Sequence, residues 1–217
     1  MAIKVKICGI TNLDDAMIAT EAGADAIGFV FHPDSPRYVS PEMVGRIVAQ
    51  LPALVLTVGV FVNEDMKKVQ EIMSRCGLAV AQLHGDEPAA YCEALRRPVL
   101  KAIRLRGHQD FLAMAEFQGR ARVRGFIVDA VSDGAYGGTG LQVNWQLAAE
   151  AAKVGPVVLA GGLTAENVAE AIRSVRPYGV DVSSGVESAP GRKDPVKVRA
   201  FIGSVKLESE QPGIYTP

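Results

Sequence analysis

The sequence lacks the charge imbalance that marks many nucleic-acid-binding proteins. Among its 217 residues, 23 Lys and Arg stand against 24 Asp and Glu, and no block of basic residues occurs. Binding to a phosphate backbone needs a concentrated cationic surface. The composition therefore argues against nucleic acid as a partner.

Long apolar runs and paired cysteines are also missing. The longest apolar run, residues 53–62, is far too short to span a bilayer, and the N-terminal residues run straight into a strand-like pattern without a secretory segment. Cys8, Cys76 and Cys92 are odd in number and form no C-x-x-C pair, which disfavours a disulfide framework or a zinc site. We expect a soluble cytoplasmic protein with no membrane partner, no metal and no organic cofactor.

What the sequence does contain is an alternation of short apolar runs and longer amphipathic stretches. The apolar runs read as nearly continuous, which is typical of parallel strands covered by helices on the outside. Eight such strands are predicted, at residues 5–7, 26–30, 54–61, 79–83, 99–103, 125–128, 156–159 and 180–182.

Helix signals occupy the segments between these strands. Ser40 and Asp194 each precede a proline, as N-caps do, and Gly23 and Gly77 stand where helix C-caps are expected. Eight strand–helix units within about 205 residues favour closure into a single-domain (β/α)8 TIM barrel over an open sheet. We place the barrel at residues 1–205 and an appended tail at residues 206–217.

In such barrels the working residues follow the strands, at the carboxyl-terminal face. Cys8 follows the first strand, Arg37 lies in a proline-stiffened loop after the second, and His84 follows the fourth. Arg104 follows the fifth strand as a rim residue. Asp129 follows three apolar residues of the sixth strand, where poor solvation favours the neutral acid and suits the group to donating a proton.

Small residues follow the last two strands, where phosphate sites recur in barrels of this kind. The seventh strand leads into Gly161 and Gly162, and the eighth into Ser183, Ser184 and Gly185. Backbone N–H groups can approach an anion closely at such positions. The glycine-rich run at residues 134–140 is typical of a lid over the site.

Taken in order, these segments resemble the phosphoribosylanthranilate isomerase family over about residues 3–204. The resemblance is carried by the motifs Lys6-Ile7-Cys8-Gly9-Ile10, Ser35-Pro36-Arg37-Tyr38, Gln82-Leu83-His84-Gly85, Gly137-Gly138-Thr139-Gly140, Leu159-Ala160-Gly161-Gly162-Leu163, Asp181-Val182-Ser183-Ser184-Gly185-Val186-Glu187 and Gly191-Arg192-Lys193-Asp194. It implies an isomerase of the ribulose-phosphate-binding barrel type that acts in tryptophan biosynthesis.

The resemblance also implies a role for each site residue. The substrate would be N-(5-phosphoribosyl)anthranilate, with Asp129 as the general acid that opens the furanose ring and Cys8 as the general base at C2′. Arg37 would hold the anthranilate carboxylate, and Asp181 would orient the amino group or assist the acid–base exchange. His84 is a further candidate for substrate contact, and the assembly would be a monomer or a homodimer.

Two other interpretations stay open at this stage. The related aminoaldose-phosphate isomerase of histidine biosynthesis performs the same rearrangement, although that family carries Asp where this chain has Cys8. A barrel that binds phosphate without catalysis would be expected to lose Cys8 or Asp129, and both are present. Indoleglycerol-phosphate synthase needs a Lys and Glu constellation that the sequence does not place on these strands.

Overall fold

A computed structural model of the chain describes residues 2–107, 109–129 and 144–210. Eight parallel strands form its centre: β1 (Lys4–Cys8), β2 (Ala26–Val30), β3 (Leu56–Phe61), β4 (Val80–Leu83), β5 (Val99–Arg104), β6 (Val123–Asp129), β7 (Val157–Leu159) and β8 (Gly179–Val182). Each strand pairs with the next along the chain, and β8 returns to pair with β1, so the sheet closes. The predicted (β/α)8 barrel is confirmed.

The helices between the strands are α1 (Leu13–Ala22), α2 (Pro41–Val48), α3 (Met66–Cys76), α4 (Ala89–Ala94), α5 (Gln109–Phe117), α6 (Trp145–Val154), α7 (Val168–Val175) and α8 (Pro195–Ser209). Their ends follow the capping signals. Ser40 accepts from the N–H of Met43, Asp194 caps α8, and Gly23 and Gly77 both end helices in the left-handed conformation. Only glycine takes that conformation without steric cost.

Three strands were predicted to begin too early, β4 and β7 by one residue and β3 by two. The third strand begins at Leu56, not at residue 54, because the chain is still in a turn there and the side chain of Leu54 is 98% exposed. The predicted strand was extended back to residue 54 because Leu54 continues the hydrophobic run, although its side chain does not contribute to the core. An exposed leucine at the amino-terminal end of the barrel is left unexplained by the fold of one chain.

The core has two compartments, which follow from the alternation of side chains along each strand. Outward-facing residues such as Ile7, Phe29 and Leu83 pack against the helices in one large cluster. Inward-facing residues form smaller clusters inside the barrel, consisting of Ala26, Val58 and Val80 near one end and Ala102, Ile127, Val158 and Ala160 further along. Polar side chains lie above them, at the carboxyl-terminal ends of the strands.

The last helix continues past residue 205, where the sequence analysis ends the barrel. Val205 and Glu208 are both buried, and Oε2 of Glu208 lies 2.6 Å from Nη1 of Arg173 on α7. Residues 206–209 therefore pack as part of the barrel's outer layer, because α8 closes the ring of helices between α7 and α1. Among the described residues, no helix is long and apolar enough to cross a membrane.

Candidate active site

A single cleft at the carboxyl-terminal face contains every residue that the sequence analysis selects for catalysis or substrate binding. Its lining includes Cys8, Arg37, His84, Asp129, Gly161, Gly162, Asp181, Ser183, Ser184 and Gly185. These residues come from loops or strand ends of six different βα units, so only barrel closure brings them together. Cys8, His84, Asp129 and Asp181 are buried, so their polar atoms are poorly solvated, and the other six are half-buried.

Cys8 stands at the end of β1 with its thiol facing the cleft. The side chain of Lys6, two residues earlier on the same strand, also points inward, and its Nζ lies 2.9 Å from Oδ2 of Asp181 on β8. Burial raises the pKa of the Cys8 thiol and outweighs the neighbouring Lys6 charge, which lowers it; the Asp181 carboxylate raises it further. The free site therefore holds Cys8 mainly as a thiol at neutral pH.

Asp181 lines the cleft and has one carboxylate oxygen without a partner among the described residues. One carboxylate oxygen is bonded to Lys6, whereas Oδ1 is buried and has no hydrogen-bond partner among the described residues. A buried oxygen without a partner is costly unless a ligand satisfies it. The arrangement is suited to accept a hydrogen bond from an N–H or O–H group of a bound molecule.

Asp129, at the end of β6, contacts His84 across the cleft. Nε2 of His84 lies 3.4 Å from Oδ2 of Asp129, and Nδ1 of the same ring lies 2.8 Å from Nε2 of Gln82. With the amide nitrogen as donor, Nδ1 accepts and the ring proton lies on Nε2, facing the carboxyl group. Gln82 is hydrogen-bonded to His84, whereas Nε2 of His84 is near Asp129 without forming a hydrogen bond to it.

A buried ion pair fixes the loop that carries His84. Nζ of Lys101, on β5, donates to the carbonyl oxygens of Leu83 and Gly85 and lies 2.8 Å from Oε2 of Glu87. The Glu87 carboxylate in turn accepts from the N–H groups of Asn63 and Gly85. Because these partners enclose the backbone on both sides of His84, the ring has little freedom to leave Asp129.

Arg37 is held by an acidic partner within the chain. Its Nε and Nη2 donate to the two carboxylate oxygens of Glu187 at 2.9 and 2.8 Å, and Nζ of Lys193 reaches the same carboxylate at 2.8 Å. Burial would raise the pKa of the Glu187 carboxyl, but the hydrogen bond from Arg37 and the charge of Lys193 prevail and lower it. The Glu187 contact orients the guanidinium, which still lines the cleft.

The lowered pKa of Glu187 gives a pH-dependent stability prediction. At pH 7 the Glu187→Gln variant should unfold with about 3 kcal/mol less free energy than the wild type, because Arg37 and Lys193 lose a buried counter-charge. The deficit is present above the ordinary pKa of a glutamate and shrinks as the pH falls through the lowered pKa, where the native carboxyl is neutral as well. Urea unfolding at a series of pH values checks this, and a deficit independent of pH would contradict it.

The loops after β7 and β8 line one side of the cleft with small residues. Gly161 and Gly162 have φ values of 87° and 64°, which side-chain-bearing residues rarely adopt, and Ser184 begins the short 3-10 helix Ser184–Val186. These loops leave backbone N–H groups and hydroxyls, rather than bulky side chains, at the surface of the cleft.

Two sequence predictions lie outside this arrangement. Arg104 stands at the rim of β5, where its Nη2 lies 2.8 Å from Oδ1 of Asp86, and it is not among the residues that line the cleft. The glycine-rich run at 134–140, predicted as a lid, lies outside the described residues.

The sequence analysis missed Lys6 and Gln82 as members of the site. Both lie two residues before a selected residue on the same strand, Lys6 before Cys8 and Gln82 before His84. Side chains two apart on a strand share a face, so a polar residue at that spacing is a signal that was present in the sequence. Asp181, the partner of Lys6, lies on β8, and no spacing along β1 indicates that contact.

The fold and the cleft together define an enzyme of the (β/α)8-barrel class, with ionisable groups and small-residue loops gathered at the carboxyl-terminal face. Comparison with known families identifies which one. Residues 5–204 match the family model for N-(5′-phosphoribosyl)anthranilate isomerase, so the chain belongs to that family. This is the family that the sequence motifs resemble.

Individual relatives agree with this assignment. The N-(5′-phosphoribosyl)anthranilate isomerase of Geobacter metallireducens is 55% identical over 204 residues, covering 94% of this chain and 99% of the relative. A phosphoribosylanthranilate isomerase solved with reduced 1-(o-carboxyphenylamino)-1-deoxyribulose 5-phosphate is 41% identical, with a TM-score of 0.83 and coverage of 94% and 99%. Monomers generated from the dimeric Thermotoga maritima enzyme are 40% identical, with a TM-score of 0.84 and the same coverage.

Proposed function

We propose that the cleft converts N-(5′-phosphoribosyl)anthranilate into 1-(2-carboxyphenylamino)-1-deoxyribulose 5-phosphate, with Asp129 as general acid and Cys8 as general base. The observation that carries this proposal is the shared cleft, in which a thiol from β1 and a carboxyl from β6 face the same space beside the small-residue loops after β7 and β8. Family membership supplies the substrate and the reaction class.

The reaction divides between the two groups. The Asp129 carboxyl gives its proton to the furanose ring oxygen while the bond from that oxygen to C1′ breaks, which leaves an open-chain Schiff base. The Cys8 thiolate then removes the proton from C2′, and the resulting enolamine tautomerises to the ketone. Each transfer needs its group within hydrogen-bond reach of the reacting atom, which a rigidly held substrate provides.

Binding at both ends of the substrate would set this geometry. The loops containing Gly161, Gly162, Ser183, Ser184 and Gly185 would bind the phosphate through backbone N–H groups and hydroxyls. Oδ1 of Asp181, which lacks a partner among the described residues, would accept from the amino group or a sugar hydroxyl. Glu187 occupies Nε and Nη2 of Arg37, so the anthranilate carboxylate would approach the rest of the guanidinium.

The direct test of this function is turnover of N-(5′-phosphoribosyl)anthranilate by the purified chain without added metal. Loss of anthranilate fluorescence follows the reaction, and identification of the ketose product by mass and chromatography completes it. The aminoaldose phosphate of histidine biosynthesis serves as the comparison substrate. Absence of turnover by folded protein would contradict the proposal. Preference for the comparison substrate would instead assign the chain the activity of the aminoaldose-phosphate isomerase of histidine biosynthesis.

Arg37 provides a prediction about binding rather than chemistry. The Arg37→Ala variant should raise the KM for substrate at least tenfold, because a charge-assisted contact to the carboxylate is lost. Inhibition by free inorganic phosphate should change far less, since the phosphate end of the cleft is untouched. Arg104→Ala is the matched control, because Arg104 pairs with Asp86 at the rim. Equal loss of substrate and phosphate affinity would contradict the assignment.

For the assembly we propose a homodimer, the form named for the Thermotoga maritima relative. Support comes from the amino-terminal end of the barrel, where a cavity of about 480 Å³ is lined by Val58, Val80 and Leu100 and edged by the exposed Leu54. Charged residues, among them Lys4 and Arg124, also line this cavity, but most of its lining is apolar. An exposed apolar side chain beside such a cavity suits a two-fold interface. Leu54→Asp should yield a monomer by analytical ultracentrifugation, and a wild type that sediments as a monomer would contradict the dimer.

A further inference from the structure

Lys6 carries a buried positive charge next to Cys8, and the proposed mechanism assigns it no role. The side chain of Lys6 is 5% exposed, and its ammonium ion lies inside the barrel 2.9 Å from Asp181. Placing an ammonium ion in a barrel interior carries a large desolvation cost, even when a carboxylate compensates it. Ala26, Val58 and Val80 lie below it and, together with Lys6, line the cavity at the amino-terminal end of the barrel. Packing at this level therefore does not require a lysine.

The position of Lys6 relative to Cys8 is fixed by the strand and by a glycine opposite. Lys6 and Cys8 point to the same side of β1, and Cys8 is in register with Gly28 on β2. A Cβ atom at Gly28 would lie 2.7 Å from Sγ of Cys8 and 3.1 Å from Nζ of Lys6. Because Sγ of Cys8 and Nζ of Lys6 both lie close to this position, the thiol and the ammonium ion are neighbours beside Gly28. A side chain at residue 28 would occupy the space that these two groups fill.

We infer that Lys6 is a positioning residue for the base, and that its ammonium ion supplies the counter-charge that lets Cys8 exist as a thiolate in a buried site. The inference rests on the proposed role of Cys8. The proton of the thiol leaves through the cleft to solvent, and the thiolate then takes the C2′ proton from the substrate. Asp181 disfavours formation of the thiolate, because its carboxylate pairs with the same ammonium ion and repels the negative sulfur.

Other charged groups face Cys8, and they differ from Lys6 in their pairing. Lys193, in the short strand Arg192–Lys193, contributes a positive charge, but its Nζ is bonded to Glu187 and to the carbonyl oxygen of Ser183. Asp129 and His84 lie on the far strands of the same cleft. Lys6 contributes more to lowering the pKa of the thiol than Lys193 does.

The test measures the reactivity of Cys8 itself. Carboxamidomethylation by iodoacetamide is followed between pH 7 and pH 10, with the modified peptide quantified by mass spectrometry. Lys6→Met should slow labelling at pH 8 about tenfold or more, and Asp181→Asn should accelerate it, since a one-unit change in pKa alters the thiolate fraction tenfold below the pKa. Lys4→Met is the matched control, because Lys4 is on the same strand and forms an exposed pair with Asp25; it should label like the wild type.

The opposite signs separate this role from a structural one. If Lys6 only supports packing, both variants loosen the barrel and both label faster, which would overturn the inference. Unchanged labelling in both would overturn it as well. Should Lys6→Met fail to fold, the Lys6→Met/Asp181→Asn double variant replaces it, because a buried pair exchanged for neutral groups is tolerated better than a lone charge. That variant should label more slowly than Asp181→Asn, and an equal rate would overturn the inference.

Catalysis provides an independent readout. Lys6→Met should lower kcat with little change in KM. Because the base must be a thiolate, kcat/KM should rise with pH in the wild type, and this rise should move to higher pH in the variant. If Cys8→Ala stays active while labelling still depends on Lys6, the proposed base is wrong and the charge pairing stands. If Cys8→Ala is inactive and labelling ignores Lys6, the inference about Lys6 is wrong and the proposed function stands.

Discussion

Asp129→Asn is expected to lower kcat by a hundredfold or more while leaving the fold intact. The amide has nearly the same shape as the carboxyl group and can still face His84, but it cannot give a proton to the furanose ring oxygen. KM should change little, because the groups assigned to binding lie on other strands. Initial rates from anthranilate fluorescence, with circular dichroism for the fold, check this prediction.

The control for this variant is Asp14→Asn, which removes one carboxylate from the exposed side of α1. It should turn over substrate like the wild type. A rate within a few fold of wild type for Asp129→Asn would transfer the role of acid to another group. His84 would then be the next candidate, because its Nε2 lies 3.4 Å from Asp129 and lines the same cleft.

Cys8→Ala should also reduce kcat by a hundredfold or more, and it should change the pH profile. The pKa of the thiol is raised by burial in spite of Lys6, so only a small fraction is thiolate at neutral pH. Since the base must be unprotonated, wild-type kcat/KM should rise from pH 7 toward pH 9. The alanine variant should lose both the rate and this rise.

Cys76→Ala is the matched control, because Cys76 is equally a buried thiol but lies on α3, outside the cleft. It should keep the wild-type profile apart from a modest loss of stability from the small cavity. A Cys8→Ala variant that retains the alkaline rise would assign that rise, and the base, to a different group.

Much of the architecture could be predicted from local patterns. The apolar positions of α3 and α7 recur at the spacing of one helix face, and Val69, Ile72, Val168 and Ile172 are all buried as that spacing indicates. The order of the strands also gave the order of the loops, so Cys8 and Asp129 were expected at one mouth. Leu54 is an exception, because hydrophobicity alone does not distinguish a buried strand residue from an exposed residue in a turn.

The contacts that organise the site were beyond local patterns. Arg37 and Glu187 are 150 positions apart, and Lys6 and Asp181 are 175 apart. Their pairing depends on the register in which β8 meets β1 and on the path of the loop after β8. Arg37 was expected to hold the anthranilate carboxylate, and its pairing with Glu187 was not predicted.

By itself, the sequence determined the alternation of strands and helices, the caps, and the strand end at which each reactive group stands. These are properties of short segments, since they arise from side-chain spacing and backbone preference. Only the tertiary structure decided which charges meet, how deeply Cys8 is buried and which oxygen of Asp181 lacks a hydrogen-bond partner among the described residues. The reason is that such contacts depend on barrel closure, in which each strand's register is set by its neighbours and not by its own residues.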